Sequence, residues 1–547
     1  MSIVLLLLVL IGGVVALPFV LLARRRTSSE GTSPAEIVTY LILAVATLIT
    51  TNSISSLLEI VMPGDGVLIA GTDDLALSLS TLIVAGVVAV ALWIAMERTT
   101  TDLARPAREL YLAVVNAVSM TVFAIGGVRV LLSAVGVADF EPSALADMAA
   151  FGAAWFIHER LRRPPEEIDE LRQVAGALLG LALSAGGAFG ILFASFDAVI
   201  SSGQLIAGTD GFWEQLRYGL VLLVVGAPFF WWFWLRGLVD RPGSWRNGYA
   251  VLVSIGAWLT AFTTSAIVLN RLAQWIVGLD SEASSSTSAS AAVAIVAGIV
   301  YWHHRPVLGQ ERNLPIRIVE YVFAATGLIA GSGAVVTLGA VLGENLFGRG
   351  SVIDSDSRLA LGALVVLILS AMTVWRYWVK ALQLSDDPIE KTSAPRRATI
   401  LILRVGYFLV GAGALIVVLY VLLRAALEGD ASELAEGLTV AIPLVTVSGL
   451  MVWHLAEQRT KAVPGEAAPI EAVATPRSKL GTVTVVATDP GPLPTMIQGM
   501  RFLKRGDGIG VVDQKRGEEI VSALTSVRGS AALVTVDADG FTIVPLN

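Results

Sequence analysis

The chain has 547 residues, of which 55% are hydrophobic and only 15% are charged, and its mean hydropathy is +0.73. About a quarter of an ordinary soluble sequence is charged, so this composition excludes a water-soluble protein and indicates an integral membrane protein. The absence of cysteine excludes disulfides, iron–sulfur clusters and cysteine nucleophiles, and the net charge of −7 becomes informative only after the charges are assigned to the two sides of a membrane.

The N-terminus begins with a nearly uninterrupted aliphatic run over residues 3–23, which ends at Arg24, Arg25 and Arg26. A secretory signal needs a basic start, a shorter apolar centre and a cleavage site of small residues. Residues 1–30 are therefore predicted to be a retained transmembrane anchor with its N-terminus outside.

Further apolar segments follow, most of them long enough for a transmembrane helix of about 20 residues. They cover residues 36–61, 75–96, 109–136, 143–158, 171–200, 213–236, 248–279, 286–304, 316–343, 358–380, 398–427 and 433–456. The shortest, 143–158, carries Asp147, and the sequence leaves open whether it crosses fully. Because the runs are long and continuous, they predict an all-α polytopic membrane protein of about 13 transmembrane helices and exclude a β-barrel.

The basic residues predict the orientation, because Lys and Arg collect on the cytoplasmic side. With the cluster at 24–26 placed inside, most of the 38 Lys and Arg residues fall on the inner side. The outer side keeps Arg129, Arg217, Arg271, Arg349, Arg358 and Arg424. The predicted location is the cell membrane, with the N-terminus outside and the C-terminus in the cytoplasm.

An internal repeat divides the membrane part of the chain. The hexapeptide LIAGTD at residues 68–73 recurs letter for letter at 205–210, and a looser counterpart stands at 351–356. A fixed period of this kind predicts tandem structural units. After the anchor, we expect three four-helix units at 36–163, 168–305 and 315–459.

Matched landmarks support the repeat. A basic-x-x-Tyr motif opens the third helix of each unit, and a tryptophan stands at the inner end of each fourth helix. These residues are Arg108 and Tyr111, Arg246 and Tyr249, Arg404 and Tyr407, followed by Trp155, Trp302 and Trp453. On these motifs the sequence resembles a family of uncharacterised bacterial membrane proteins built from a four-helix domain of unknown function. The resemblance implies a topology and supplies no chemistry.

The recurring residues have two kinds of interpretation. Arg and Tyr one turn apart at a helix start, and Trp at a helix exit, are typical interface anchors at headgroup depth. The outer-half residues Arg129, Arg271 and Arg424 have candidate partners in Glu59, Asp197 and Glu344, at the outer ends of the first helices. Such pairs either staple hairpins together or line an outward cavity for a solute.

Glycines spaced four apart predict close helix packing in the second and third units. The pairs are Gly176 and Gly180, Gly186 and Gly190, and Gly327 and Gly331, all on first helices. Small residues at this spacing let helix backbones approach closely. The first helices are therefore expected to be central.

The four histidines, His158, His303, His304 and His454, lie near the inner ends of the fourth helices. Two imidazoles on different helices ligate haem iron in some proteins, so a haem-bearing redox protein is one hypothesis. Their position beside basic residues at the membrane boundary favours ordinary interfacial histidines. The sequence assigns no cofactor, no metal and no catalytic residue.

The tail predicts a linker at 460–475 and a small cytoplasmic α/β domain at 476–547. Within the domain, strands are expected at 482–488 and 508–513, helices at 493–503 and 518–527, and a hairpin from 532–536 to 541–544. The balanced charge gives no nucleic-acid signature.

The favoured function is a non-catalytic scaffold or accessory subunit of a membrane complex. Its partners would be the lipid bilayer and a protein bound through helix faces or the C-terminal domain, with no nucleic acid. A small-solute transporter or channel is the alternative, and the haem protein is the second alternative.

Overall fold

A computed structural model describes most of the chain, which divides into two compact parts, residues 1–452 and 453–547. The described residues are 34–62, 72–99, 105–161, 166–200, 210–239, 244–279, 285–309, 313–347, 353–384, 387, 390, 393–428, 434–460, 482–487, 493, 500–504, 512–526, 531–537 and 541–546. The predicted anchor at 1–30 and nearly all of the predicted linker lie outside them.

Long helices follow one another through the membrane part of the chain. They are α1 (Pro34–Val61), α2 (Thr72–Thr99), α3 (Arg105–Ala134), α4 (Pro142–Arg160), α5 (Glu166–Ile200), α6 (Asp210–Phe229), α7 (Ser244–Ile276), α8 (Ser285–His304), α9 (Leu314–Phe347), α10 (Ile353–Thr373), α11 (Ala394–Glu428) and α12 (Leu434–Thr460). Helix α6 continues as a π-helical segment, Phe230–Leu238, and α10 as another, Val374–Val379, followed by a short turn at Lys380–Gln383. Each apolar segment after the anchor coincides with one of these helices.

Eleven of the described helices are long and apolar enough to cross a membrane. The protein is therefore a multi-pass helical membrane protein. Helix α4 is not among the eleven, because its 19 residues include Asp147, Glu159 and Arg160. Its crossing stays a prediction.

We group the helices in three sets, α1–α4, α5–α8 and α9–α12. In each set the first helix is central. Helix α1 contacts α2, α3 and α4, α5 contacts α6, α7 and α8, and α9 contacts α10 and α11. Gly339 and Gly343 place α9 against Pro443 and Thr439 of α12 as well. This agrees with the central position that the glycine spacing predicts.

The glycines of α5, and Gly327 and Gly331 of α9, face the second helices. A Cβ added at Gly187 would lie 2.5 Å from the Leu223 backbone nitrogen, and one at Gly327 would lie 2.9 Å from the Thr373 side chain. These separations are shorter than van der Waals contact, so only glycine permits the observed approach.

Successive sets meet through the third helix of one and the first two helices of the next. Helix α3 packs against α5 and α6, and α7 packs against α9 and α10. The buried Met120 of α3 shares a core with Phe233 at the end of α6, and Trp258 of α7 stacks on Phe323 of α9 with ring centres 4.1 Å apart. The largest core of the membrane part lies at these junctions.

The C-terminal part contains β1 (Thr482–Ala487), β2 (Met500–Lys504), α13 (Gln514–Ser526), β3 (Ala531–Val536) and β4 (Phe541–Leu546). The strand order is β2-β1-β3-β4, with β1 parallel to β2 and β3, and β3 antiparallel to β4. One face of the sheet packs its alternate residues against α13, with Val485, Val534 and Ile520 fully buried.

The predicted helix at 493–503 is wrong for its last residues, because Met500 to Leu503 belong to β2. Their local pattern suits a helix, but pairing of Val485 with Phe502 and of Val483 with Met500 places them in a parallel ladder. Non-local pairing overrides local propensity here. The predicted hairpin agrees with β3 and β4.

Gly187→Ala tests the α5–α6 contact. We expect this variant to lower the free energy of unfolding by about 1–3 kcal/mol, because the added methyl overpacks the backbone of Leu223. Thermal unfolding in detergent measures the change. Gly256→Ala on α7 is the control, since a Cβ there meets nothing within 4 Å. Equal melting temperatures of the two variants would contradict the contact.

Candidate functional site

A buried tyrosine–histidine pair joins the third and fourth helices in two of the three sets. The hydroxyl of Tyr111 on α3 lies 2.8 Å from Nε2 of His158 on α4. The hydroxyl of Tyr249 on α7 lies 3.3 Å from Nε2 of His304 on α8. All four side chains are at most 8% exposed. The pairs recur at matched positions, so they are the best-defined polar site of the bundle.

The direction of each hydrogen bond follows from the other ring nitrogen. Nδ1 of His158 lies 2.7 Å from the carbonyl oxygen of Ala154, and Nδ1 of His304 lies 2.8 Å from that of Val300. A carbonyl oxygen only accepts, so Nδ1 carries the proton. In the neutral ring Nε2 is then an acceptor, and the tyrosine hydroxyl donates to it.

This arrangement bears on the haem hypothesis. An iron ligand at Nε2 of His158 or His304 would have to displace the hydrogen bond from the tyrosine. Among the residues that the structure describes, no three His, Asp or Glu side chains are grouped to hold a metal ion. His158 and His304 are better explained as hydrogen-bond partners between helices.

Tryptophans from the second helices complete both clusters. The ring centre of Trp93 lies 5.8 Å from that of Tyr111. The buried Trp234 lies 4.5 Å from Tyr249 and stacks on His304 at 4.9 Å, while its indole N–H donates to Nε2 of His303 at 3.0 Å. Trp234 stands in the π-helical end of α6, a geometry that often marks functional positions.

The arginine of the basic-x-x-Tyr motif makes a second attachment. Arg108 donates to the carbonyl of Leu161 at 3.0 Å, and Arg246 donates to that of Val307 at 2.7 Å. Both carbonyls lie just beyond the C-terminal end of the fourth helix, where backbone acceptors lack helical partners. The motif therefore fastens the third helix to the fourth at two points.

The third set differs. Tyr407 donates to the carbonyl of Leu328 at 3.0 Å and shares a 2.8 Å hydrogen bond with the Ser332 hydroxyl, so it binds the first helix α9. Arg404 is half-buried and lies ten residues after Ala394, the first residue of α11. The basic-x-x-Tyr motif is thus kept in the sequence of the third set, but its tyrosine contacts the first helix of the set.

The predicted interface anchors have mixed environments. Trp302 and Trp453 are 78% and 68% exposed, as an anchor at the membrane surface requires. Trp155 is half-buried and stacks on Phe229 at 5.8 Å, in the core between the first two sets. Tyr111 and Tyr249 face the protein interior. An anchoring role stays a prediction for all of them.

The outer-half residues are not assembled into one site. Arg129 forms an ion pair with Glu141, just before α4, and donates to Ser143 at 3.4 Å, whereas the sequence suggested Glu59, which is exposed on α1. Arg271 is exposed, and the other three are half-buried on α5, α9 and α11: Asp197, Glu344 and Arg424. Stapling and cavity lining both remain predictions.

The third set contains a buried carboxylate that the sequence patterns did not predict. Glu390 follows α10 and precedes α11 in the chain, and its side chain is fully buried. It accepts a 2.5 Å hydrogen bond from Tyr321 and lies 3.4 Å from the Arg317 guanidinium. Beside it, Lys380 lies 3.3 Å from Glu320. Tyr321 is visible in the sequence as a helix-start tyrosine, but no pattern singles out Glu390 in its polar loop.

The fold and these contacts define a multi-pass helical membrane protein whose polar side chains link its helices. The family model described as "Domain of unknown function (DUF5671)" matches residues 170–299 and 317–449. The first match runs from α5 into α8 and the second from α9 into α12, so one domain is found twice in this chain. Searches of curated proteins and of solved structures returned no match. The similarity fits an uncharacterised family and assigns no activity.

Tyr111→Phe tests the tyrosine–histidine pair. Removing the hydroxyl leaves Nε2 of His158 buried without a donor, and we expect a loss of about 1–3 kcal/mol in the free energy of unfolding. The matched control is Tyr218→Phe on the exposed surface of α6. Thermal unfolding in detergent compares them, and a Tyr111→Phe protein as stable as the control would refute the hydrogen bond.

Proposed function

We propose that the chain is a non-catalytic scaffold or accessory subunit of a membrane complex. The observation that supports it most is that several buried polar side chains bond to one another across helices, as Tyr111 does to His158 and Tyr321 does to Glu390. A catalytic centre or solute path needs polar groups that converge on an accessible space. These groups instead hold helices together.

A surface groove of about 470 Å³ at the junction of α7, α9 and α10 supports the same proposal. Its lining is mainly aliphatic and includes Leu338, Leu361 and Leu364, with the hydroxyl of Ser357. Such a lining suits a lipid chain or an apolar side chain better than a charged solute.

The C-terminal sheet supplies a docking surface in this proposal. Its face opposite α13 carries Val486 and Leu533, with Leu503 and Val544 exposed at the two edge strands. Exposed apolar residues that form one face are typical of protein interaction sites.

We infer the domain organisation from repeated contacts. An anchor at 1–30 would precede three four-helix units at 36–163, 168–305 and 315–459, then a linker at 460–475 and the α/β domain at 476–547. The duplicated family match supports the second and third units. The Tyr111–His158 pair, equivalent to Tyr249–His304, supports the first.

The proposed orientation places the N-terminus outside the cell membrane and the C-terminus in the cytoplasm. It is supported by the inner concentration of Lys and Arg. It also requires α4 to cross, because otherwise every later helix would be inverted. The hydrogen bond between Asp147 of α4 and Ser55 of α1, at 2.6 Å, supplies a partner for the carboxylate in such a crossing.

Labelling of single cysteines tests the orientation, since the chain has no cysteine of its own. We expect Ser202→Cys to react with an impermeant maleimide from outside, and Ser478→Cys only after permeabilisation. Ser28→Cys is the internal control, because it precedes α4 and stays inside in either topology. Exchange of the first two results would show that α4 does not cross.

A small-solute transporter is the second candidate. An ionisable group inside a membrane helix is a functional hypothesis by default, and Asp147 meets that description. Its partner Ser55 lies in a polar stretch of α1 that also contains Thr50, Thr51 and Ser53. Flux in reconstituted vesicles that Asp147→Asn abolishes would favour this candidate over the scaffold.

Purification in mild detergent tests the scaffold proposal. We expect a constant protein partner with the wild type, and its loss in Val544→Asp, because a charge on the exposed sheet face opposes apolar docking. Lys515→Asp, on the exposed surface of α13, is the control and should retain the partner. Absence of any constant partner, together with solute flux in vesicles, would overturn the proposal.

A further inference from the structure

The interface between successive sets is built in the same way twice. The third helix of one set packs against the first two helices of the next, as α3 does on α5 and α6 and α7 does on α9 and α10. At the outer end, an arginine of the second helix donates to a carbonyl just beyond the third helix. These contacts are Arg217 to Val135 at 3.4 Å and Arg358 to Leu279 at 2.5 Å.

The two ends of the array have the same helices without this interface. Of the residues in the apolar stretch of the third helix α11, 6% are buried, compared with 56% in α3 and 22% in α7. In the apolar stretch of the second helix α2, 0% of the residues are buried, compared with 33% in α6 and 17% in α10. Each is the least buried of its kind, and among the helices that the structure describes no further set packs against α11 or α2.

We propose that a second copy of this chain occupies these faces. Helix α11 of one copy packs against α1 and α2 of the next, as α3 packs against α5 and α6 within the chain. Arg424 lies near the outer end of α11, and the exposed Asp73 and Asp74 lie at the start of α2, so the two helices carry opposite charges at these ends.

An apolar surface alone does not indicate a protein partner, because lipid tails solvate an apolar helix as well as another helix does. What distinguishes α2 and α11 is their equivalence to helices that already bind each other. The interface is heterologous, since it joins two different faces. It therefore continues into a closed ring or an open chain of copies.

Cross-linking between two differently tagged variants tests the proposal in native membranes. One carries Leu427→Cys, as far from Tyr407 as Leu131 of α3 is from Tyr111. The other carries Val84→Cys, as far from Asp73 as Val221 of α6 is from Asp210. Leu131 and Val221 pack in one cluster within the chain, and both substituted positions are exposed. A short bis-maleimide should give a mixed dimer as the main product.

The control pairs Val84→Cys with Ile299→Cys, an exposed position on α8 outside the proposed interface. Equal cross-linking of both pairs would overturn the proposal, as would failure of both Leu427→Cys and Leu423→Cys to react with Val84→Cys. A cross-link within one chain between Ile11→Cys and Val84→Cys would also overturn it, by showing that the N-terminal segment covers α2. Twice the monomer mass or more in light scattering is expected for the wild type.

Discussion

The lack of water in the bilayer core is the constraint on which this structure depends. Backbone groups must find partners within their own helix, and polar side chains must find them within the protein. Helix α1 shows both responses: Thr50, Thr51 and Ser53 return their hydroxyls to carbonyls four residues earlier, and Ser55 reaches Asp147 on a neighbouring helix. Four side chains of this polar stretch are thereby hydrogen-bonded within the protein.

The basic-x-x-Tyr motif is the clearest product of this constraint. In the first two sets, its arginine donates a hydrogen bond to a carbonyl just beyond the fourth helix, and its tyrosine donates one to a histidine of that helix. One short motif therefore holds two helices together. In the second set the π-helical end of α6 adds Trp234, which connects the pair to the core shared with the neighbouring sets. The third set keeps the motif in its sequence, but Tyr407 there bonds to Ser332 and to the carbonyl of Leu328, both on α9.

Tandem repetition explains both the packing and the exposed faces. The second and third sets each pack against the third helix of the set before. Among the described helices, this leaves the third helix of the last set, α11, and the second helix of the first set, α2, without such a contact. The family match, found twice in the chain and described as a domain of unknown function, is consistent with duplication of one helical module. Because several of its buried polar groups link its own helices, we propose a scaffold rather than a catalyst.

The sequence by itself determined which segments are helices, because a membrane imposes one local requirement, a long apolar run, that eleven of the described helices meet on their own. It also predicted the β3–β4 hairpin, whose partners are adjacent in the chain. The tertiary structure alone decided which side chains meet. It paired Arg129 with Glu141, turned Tyr111 and Tyr249 inward to histidines, buried Glu390 and drew Met500 to Leu503 into a strand. These outcomes depend on which distant segments become neighbours, and hydropathy does not encode that choice.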